Sequence, residues 1–256
     1  MDGARQHITN PLTRKLTHFV PLSDDDRAVL DQLTCRVEGF EVGRDLAVEG
    51  EAPRAAFVLL EGMACRYRIM PDGRRQIMTF LLPGDLCGLH AFLFKAMDHS
   101  IGTLTPGRLA AISQHEVMQV TYRHPRVSIG LWWSTLQEEA MLRERIVALG
   151  RRDARQRVAY LLCELVWRYR AIGGAEGNTI SLPLTQSELA DTLGLTAVHV
   201  NRVLQDLRRE KLLELRGRTL TLLDADALSR GAGFNGSYLH LGSAPDMVRR
   251  YFEEAK

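Results

Sequence analysis

The spacing of apolar residues changes twice along the chain. Between residues 21 and 116, short apolar runs alternate with glycine-containing turns. The runs Ala56–Leu60, Cys65–Met70 and Gln76–Leu82 have the length of strands. Short strands at such regular intervals are typical of an all-β sandwich or barrel. We predict a further β stretch over Arg108–Val120.

The middle of the chain has a helical period. Its apolar residues recur three or four positions apart, which predicts a long helix over Val127–Leu149. Gly150 interrupts the pattern, and Asp153 is a suitable N-cap for a second helix, Ala154–Arg170. A stripe on the long helix can pack against the same stripe of a second chain. This candidate dimer interface consists of Trp132, Leu136, Ala140, Arg143 and Val147.

Two short helices joined by a tight turn are predicted after Leu182. Thr185 and Glu188 have the spacing of a capping box, which marks the start of the first helix. Gly194 suits the turn, and Thr196 can cap the second helix. Together these features are the pattern of a helix-turn-helix motif.

The second of these helices has two chemically different faces. Val200, Val203, Leu204 and Leu207 share one side, opposite a side with arginine and glutamine, which can read base edges. Arg202 is the best base-reading candidate, because the N-terminal part of such a helix enters the major groove. A hairpin over residues 212–223 would add a wing. The candidate DNA-binding residues are Thr185, Gln186, Thr196, Ala197, Val198, His199, Asn201, Arg202, Gln205, Arg208, Arg209, Arg216 and Arg218.

The overall charge and the ends of the chain limit the possible classes. The net charge is only +2, so a DNA-binding face must be a local cluster. No signal peptide or apolar run of the ~18 residues that span a bilayer is present, and we expect a cytoplasmic protein without a membrane partner. The cysteines form no CxxC pair, which favours reduced thiols and no metal site. They are Cys35, Cys65, Cys87 and Cys163.

These motifs carry a family resemblance. The stretch LTQSELADTLGLTAVHVNRVLQDLRREKLL, followed by RGRTLTL, closely resembles the DNA-binding signature of the Crp–Fnr superfamily of regulators. The motifs EGE, LEG, PDGRRQ and PGD match in order, so the resemblance covers about Pro21 to Leu228. It implies an α+β protein with a cyclic-nucleotide-binding-like β-roll (a jelly roll), a dimerisation helix and a winged helix-turn-helix. It also implies a homodimer on a palindromic site in double-stranded DNA, with RNA polymerase as a partner and no enzyme activity.

The resemblance divides the chain into five parts. They are an N-terminal arm (1–20), a β-roll effector domain (21–124), a dimerisation helix (125–150), a winged helix-turn-helix domain (151–228) and a C-terminal tail (229–256).

Three departures from better-known members bear on the signal and the operator. Leu89 replaces the glutamate of cyclic-nucleotide binders, and His99 replaces their arginine, so cyclic AMP is not the expected effector. No cysteine precedes Cys35, so the N-terminal iron–sulfur site of the oxygen sensors is absent. Val198 replaces a glutamate that contacts cytosine in many members. The candidate effector pocket consists of Gly88, Leu89, His90, His99 and Ser100.

The ligand and any cofactor stay unknown at this point. His90 and His99 could contact a haem, which keeps a haem-based gas sensor or a redox-responsive regulator of the same family open. A catalytic cupin fused to a DNA-binding domain is a more remote alternative. It would need clustered histidine and carboxylate ligands, and His90, His99 and His115 lack that spacing.

Overall fold

A computed structural model describes residues 10–53, 55–89, 93, 95–242 and 244–254. The strands are β1 (Val37–Phe40), β2 (Asp45–Ala47), β3 (Ala56–Glu61), β4 (Ala64–Ile69), β5 (Arg75–Leu81), β6 (Leu86–Cys87), β7 (Ser100–Thr103), β8 (Gly107–Ile112), β9 (Ala175–Glu176), β10 (Thr179–Ser181), β11 (Leu213–Arg216) and β12 (Thr219–Leu222). The helices are α1 (Pro11–Leu16), α2 (Asp24–Leu33), α3 (Gln114–Arg123), α4 (Pro125–Arg151), α5 (Ala154–Ala171), α6 (Gln186–Leu193), α7 (Ala197–Arg209), α8 (Ala225–Ala232) and α9 (Asp246–Glu254).

Two four-stranded antiparallel sheets form the β-roll. Their strand orders are β1-β8-β3-β6 and β2-β7-β4-β5. Inward-facing side chains such as Leu59, Leu81 and Ile101 fill the space between the sheets. The predicted runs Ala56–Leu60 and Gln76–Leu82 correspond to β3 and β5 to within one residue at either end. The predicted β-roll is therefore confirmed.

The second predicted β stretch is wrong in its latter half. Strand β8 ends at Ile112, and α3 follows. Ser113 caps this helix, because its side chain accepts from the Glu116 amide at 3.3 Å while the Glu116 carboxylate accepts from the Ser113 amide at 2.8 Å. This reciprocal cap satisfies amides at the start of the helix and favours the helix over a continued strand.

The long helix α4 runs through Gly150, where the sequence pattern predicts a break. The chain turns shortly after it, at Arg152, whose backbone is extended with ψ 144°. Asp153 then caps α5 as predicted, accepting from the Gln156 amide at 2.8 Å. The buried pair Arg145–Glu164, at 3.4 Å, joins α4 to α5.

The predicted N-terminal arm is a packed segment over its described part. Leu12, Leu16, Phe19 and Val20 are fully buried against α2, α3 and the start of α4. Arg14 donates to the Ile172 carbonyl at the end of α5. The segment therefore belongs to the core and connects it to the second half of the chain.

The C-terminal tail packs against α4. The Gln137 side chain on α4 donates to the Leu239 carbonyl, and the Trp133 ring meets the His240 ring edge-on at 5.8 Å. Arg126 lies 4.9 Å from the centre of the Phe252 ring. No described helix is both long and apolar enough to cross a lipid bilayer.

A third sheet and two short helices complete the second half. Its strand order is β11-β12-β10-β9, and its core side chains pack with those of α5, α6 and α7. Helix α6 lies against β5 of the β-roll, where Arg75 pairs with Asp191 at 2.9 Å. The side of α7 that faces away from this core is exposed to solvent.

Candidate nucleic-acid interface

The helix-turn-helix forms as its local sequence predicts. The Thr185 hydroxyl accepts from the Glu188 amide at 3.2 Å, and the Glu188 carboxylate accepts from the Thr185 amide at 2.6 Å. Gly194 ends α6 with φ +62°, a left-handed conformation that glycine adopts without steric cost. The Thr196 hydroxyl then caps α7 by accepting from the His199 amide at 3.2 Å.

Helix α7 separates an apolar side from a polar side. Val200, Val203, Leu204 and Leu207 are buried, as their spacing predicts. Burial of four such side chains against α5 and α6 fixes the rotation of the helix about its axis. The residues at the start of α7 and on its opposite side are half-buried or exposed: Thr196, Ala197, Val198, His199, Asn201, Arg202, Gln205, Arg208 and Arg209.

The exposed side of α7 presents chemistry suited to base edges. Val198 is 80% exposed at its start. Arg202, one turn later, is exposed and forms no ion pair with any residue that the structure describes. Gln205 donates to the Asn201 side-chain oxygen at 2.8 Å, and Arg209 pairs with Asp206. Arg202 is therefore a guanidinium on this helix with both of its donor edges open to a guanine.

The wing lies next to this helix. Strands β11 and β12 pair from Leu213 with Leu222 to Arg216 with Thr219. The turn between them holds Gly217 at φ +58°, which suits a tight hairpin. Arg216 and Arg218 are both exposed at this tip. Gln186, at the start of α6, is exposed as well, and Thr185 beside it is exposed too.

A cationic groove runs between α7 and β11. Its charged lining consists of four cations, Arg202, Arg208, Arg209 and Lys211, and two carboxylates, Asp206 and Glu214. Lys211 is a residue that the sequence reasoning missed, and it has the left-handed φ of +57°. Its amide donates to the Arg208 carbonyl and the next amide to the Leu207 carbonyl, each at 3.0 Å. Lysine therefore stands at the helix-ending position where glycine is the usual residue.

We predict that Lys211→Gly stabilises the fold and weakens DNA binding. The free energy of unfolding should rise by about 1 kcal/mol, because glycine adopts the left-handed conformation without strain. It should also bind every DNA sequence more weakly, since one phosphate-facing charge is removed. Urea unfolding and fluorescence anisotropy measure the two effects. Lys211→Ala is the control, which should lose affinity equally without the gain in stability; unchanged affinity in both variants would contradict the assignment.

The arginines near the start of α5 make contacts within the chain. Arg155 forms a two-pronged ion pair with Glu210, with a shortest distance of 2.5 Å. Arg157 donates to the Leu193 carbonyl at 3.1 Å, and Arg152 lies 3.9 Å from the centre of the Tyr160 ring. These contacts give the three arginines a structural role within the chain.

The candidate effector residues that the structure describes do not converge on one pocket. Gly88 lines a cavity of about 480 Å³ in the β-roll, together with residues of β2 and the following loop. Leu89 is half-buried and packs against a hydrophobic core cluster that includes residues of α1 and α4. The Ser100 hydroxyl accepts from the Glu49 amide at 3.0 Å. His90 lies outside the described residues.

His99 belongs to a buried polar network instead. Its Nε2 lies 2.8 Å from Arg66, and its Nδ1 lies 2.6 Å from the Asp98 carboxylate. Arg66 in turn pairs with Glu138 on α4, donating to it at 3.0 Å. Burial, with the nearby Arg66 charge, lowers the pKa of His99. Both ring nitrogens are thus engaged, and neither points to a haem iron in this conformation.

The cysteines are all free thiols. Burial raises the pKa of Cys65 and of Cys87 to about 12 and that of Cys163 to about 11. A thiol with so high a pKa is a poor nucleophile and a poor metal ligand at neutral pH. Within the described ranges no three histidine, cysteine or acidic side chains group as metal ligands.

The predicted dimer stripe on α4 is mostly accessible. Trp132 is 65% exposed, and Leu136 and Val147 are also exposed, while Arg143 has an exposed side chain. Ala140 differs, because it is only 6% exposed and faces the interior of its own chain. Including Ala140 in the stripe was wrong, since three-to-four spacing alone does not separate two apolar faces of one helix.

Two family comparisons match the two halves of the chain. Residues 37–124 match the family described as a cyclic nucleotide-binding domain. Residues 156–230 match the Crp-like helix-turn-helix domain. The transcriptional activatory protein AadR of Rhodopseudomonas palustris is 33% identical over 69% of this chain and 72% of that protein. The nitrogen fixation regulation protein FixK of Bradyrhizobium diazoefficiens is 32% identical over 72% of this chain and 77% of that protein.

A solved structure shares the fold. FixK2 from Bradyrhizobium japonicum aligns with a TM-score of 0.69 at 24% identity, over 82% of this chain and 98% of that one. The fold and the exposed helix define a DNA-binding transcription regulator with a sensor domain. The chain belongs to the Crp–Fnr family.

Proposed function

We propose that the chain acts as a homodimer that reads a two-fold symmetric DNA site with α7. The observation that carries this proposal is the accessible Val198–Arg209 side of α7 beside the arginine-tipped wing. A helix of this kind enters the major groove, and base-edge contacts then give specificity. Arg208, Arg216 and Arg218 flank it and would neutralise phosphates, which position the protein without specifying sequence.

The dimer forms through α4 in this proposal. The exposed stripe continues along the helix to its end, where α5 and the helix-turn-helix follow. Two copies joined along α4 would place two α7 helices on the same side of the dimer. Their half-sites should then lie about 34–36 Å apart, one helical turn of DNA.

The sensor in this proposal responds to something other than a cyclic nucleotide. Leu89 offers no carboxylate to a ribose, and His99 is held by Arg66 and Asp98. Arg66 is itself neutralised by Glu138, so this cluster presents no spare positive charge to a phosphate. A change in the β-roll would reach DNA through α4 and through the contact of β5 with α6.

The proposed regulatory role, place of action and protein partner follow from the class of DNA-binding transcription regulators. The two relatives named above are a transcriptional activatory protein and a nitrogen fixation regulator, and we propose a comparable regulatory role without enzyme activity. The protein would act in the cytoplasm, on the chromosome, with RNA polymerase as its protein partner.

Selection of bound DNA from a random pool tests the proposal. We expect an inverted repeat whose half-sites are centred about one helical turn apart, bound by two chains as measured by light scattering of the complex. Affinity for this site should be the same with and without saturating cyclic AMP. A single unrepeated half-site bound by one chain would contradict the dimer, and tighter binding with cyclic AMP would contradict the sensor assignment.

A further inference from the structure

One side of α4 carries an unbroken heptad spacing of accessible residues. We call this set the heptad seam, and its members are Trp132, Leu136, Glu139, Arg143, Ile146 and Gly150. Successive members are four, three, four, three and four residues apart, which is the spacing of a two-stranded coiled coil. Many of the neighbouring residues on either side are wholly or partly buried against the same chain.

The seam is too apolar for a face that stays in water. Trp132 is 65% exposed and Ile146 is 71% exposed. Large apolar side chains aligned in this way mark a protein-interaction surface. Glu139 and Arg143 lie between them, with side chains 56% and 65% exposed, and pair at 3.2 Å within the helix.

The two charges are complementary to themselves under two-fold symmetry. In a coiled coil, each seam residue packs into a hole formed by four residues of the facing helix. For Arg143 that hole includes Glu139 of the second copy, and the converse holds for Glu139. With the helices parallel, the two Glu139 side chains face each other in one layer and the two Arg143 side chains face each other in the next, so each guanidinium can reach a carboxylate of the other chain across the two layers. We call these two adjacent layers together the charge layer, and Leu136 and Ile146 supply apolar layers on both sides.

We propose that Glu139 and Arg143 form a four-membered charge layer across the dimer and select a second copy of this chain as the partner. The inference rests on the proposed homodimer and names the residues that specify it. The helices run parallel, because both C-terminal ends must lead to one DNA. A chain with apolar or like-charged residues at these positions would leave buried charges unpaired, and so it would be rejected.

Charge-reversal variants test this layer by sedimentation equilibrium of the full chain. Glu139→Arg places four positive charges in the layer, and Arg143→Glu places four negative charges there. Each single variant should raise the dimer dissociation constant at least ~100-fold, since facing like charges cost several kcal/mol. The double variant should return it to within ~3-fold of the original, because complementarity is restored.

Mixing the two single variants gives the sharpest result. One variant supplies only positive charges and the other only negative ones, so they should form a heterodimer with each other. A role confined to one helix cannot produce this result. The exposed pair Arg108–Glu61 on the β-roll is the matched control, and reversal of either of its members should leave the dimer unchanged.

The outcomes separate this inference from the proposed function. A dimer of unaltered affinity in both reversal variants would overturn the charge layer and leave the homodimer standing. A monomeric wild-type chain on DNA would overturn the homodimer itself. Should the reversal variants not fold, Glu139→Gln and Arg143→Gln replace them. These should each weaken the dimer about 10-fold, and an unchanged dissociation constant in both would equally overturn the layer.

Discussion

Asp85→Asn should lower the free energy of unfolding by about 3–5 kcal/mol, the cost of breaking a buried ion pair. Asp85 is only 7% exposed. One of its carboxylate oxygens accepts from Lys15 at 2.6 Å, and the other accepts from Arg168 at 2.7 Å. Both cations are also buried, so the amide would leave two charges in the interior without their shared anion.

The dependence of stability on pH should change in the same variant. Burial raises the pKa of Asp85, but the charges of Lys15 and Arg168 outweigh it and hold the pKa below its ordinary value. A carboxyl group with a lowered folded-state pKa stabilises the fold above its unfolded pKa of about 3.9. That stabilisation disappears as pH falls through the folded-state pKa. Asp85→Asn should therefore lack this part of the acid dependence.

Urea unfolding near neutral pH and again at acid pH measures both effects. Glu61→Gln is the control, because it breaks the exposed pair with Arg108 and should cost no more than about 1 kcal/mol. Equal urea midpoints for Asp85→Asn and the wild type would show that the carboxylate does not hold these two cations. Asp85 lies in the β-roll and binds Lys15 of α1 and Arg168 of α5, so a large effect would identify it as the contact that joins these three parts.

The DNA-binding half could be predicted because its signals are local. The capping pairs of α6 and α7 each lie three residues apart. Gly194 marks the turn, and the apolar positions of α7 fix the side that is buried. Each of these features depends on neighbours within one or two turns. The predicted accessible side, with Val198 and Arg202, is therefore the one that the structure shows.

The contacts between distant segments could not be predicted in the same way. Lys15 and Asp85 are 70 residues apart, and Asp85 and Arg168 are 83 apart. Nothing in the local sequence of Leu12–Val20 distinguishes a free arm from a segment that packs into the core. The prediction that Ala140 belongs to the dimer stripe was wrong for a related reason. Helix α4 has one apolar side that packs within its own chain and a second that is exposed, and residue spacing alone does not distinguish them.

The effector region shows the limit of motif matching. The sequence places His99 where cyclic-nucleotide binders carry an arginine, and it therefore argues against that ligand. Only the structure shows what His99 does instead, since its partner Arg66 comes from β4 and Glu138, which pairs with Arg66, comes from α4. The sequence alone shows that the ligand-binding arginine is absent. That an internal network of His99, Arg66 and Glu138 takes its place can be seen only in the folded structure.

Arg202→Ala should remove much of the sequence specificity without removing DNA binding. A two-pronged arginine–guanine contact contributes about 1–3 kcal/mol of discrimination at each half-site. A symmetric dimer would be deprived of two such contacts, which corresponds to a fall of roughly 30-fold to more than 10⁴-fold in specific affinity. Binding to unrelated DNA should change little, because the remaining phosphate contacts supply that affinity. Anisotropy titrations with the selected site and with a scrambled site measure the ratio.

Arg218→Ala separates the two kinds of arginine contact on this surface. Its wing position predicts a phosphate contact, so affinity should fall equally on both DNAs. The slope of log K against log salt should become shallower by about 0.9 for each phosphate that the variant no longer neutralises. Arg123→Ala removes the same charge from the exposed end of α3 and should alter neither quantity.

If Arg202→Ala instead behaved like Arg218→Ala, with an unchanged ratio between the two DNAs, base reading would belong to another residue of α7. Val198 and Gln205 would then be the next to test, because both are exposed on the same side of the helix.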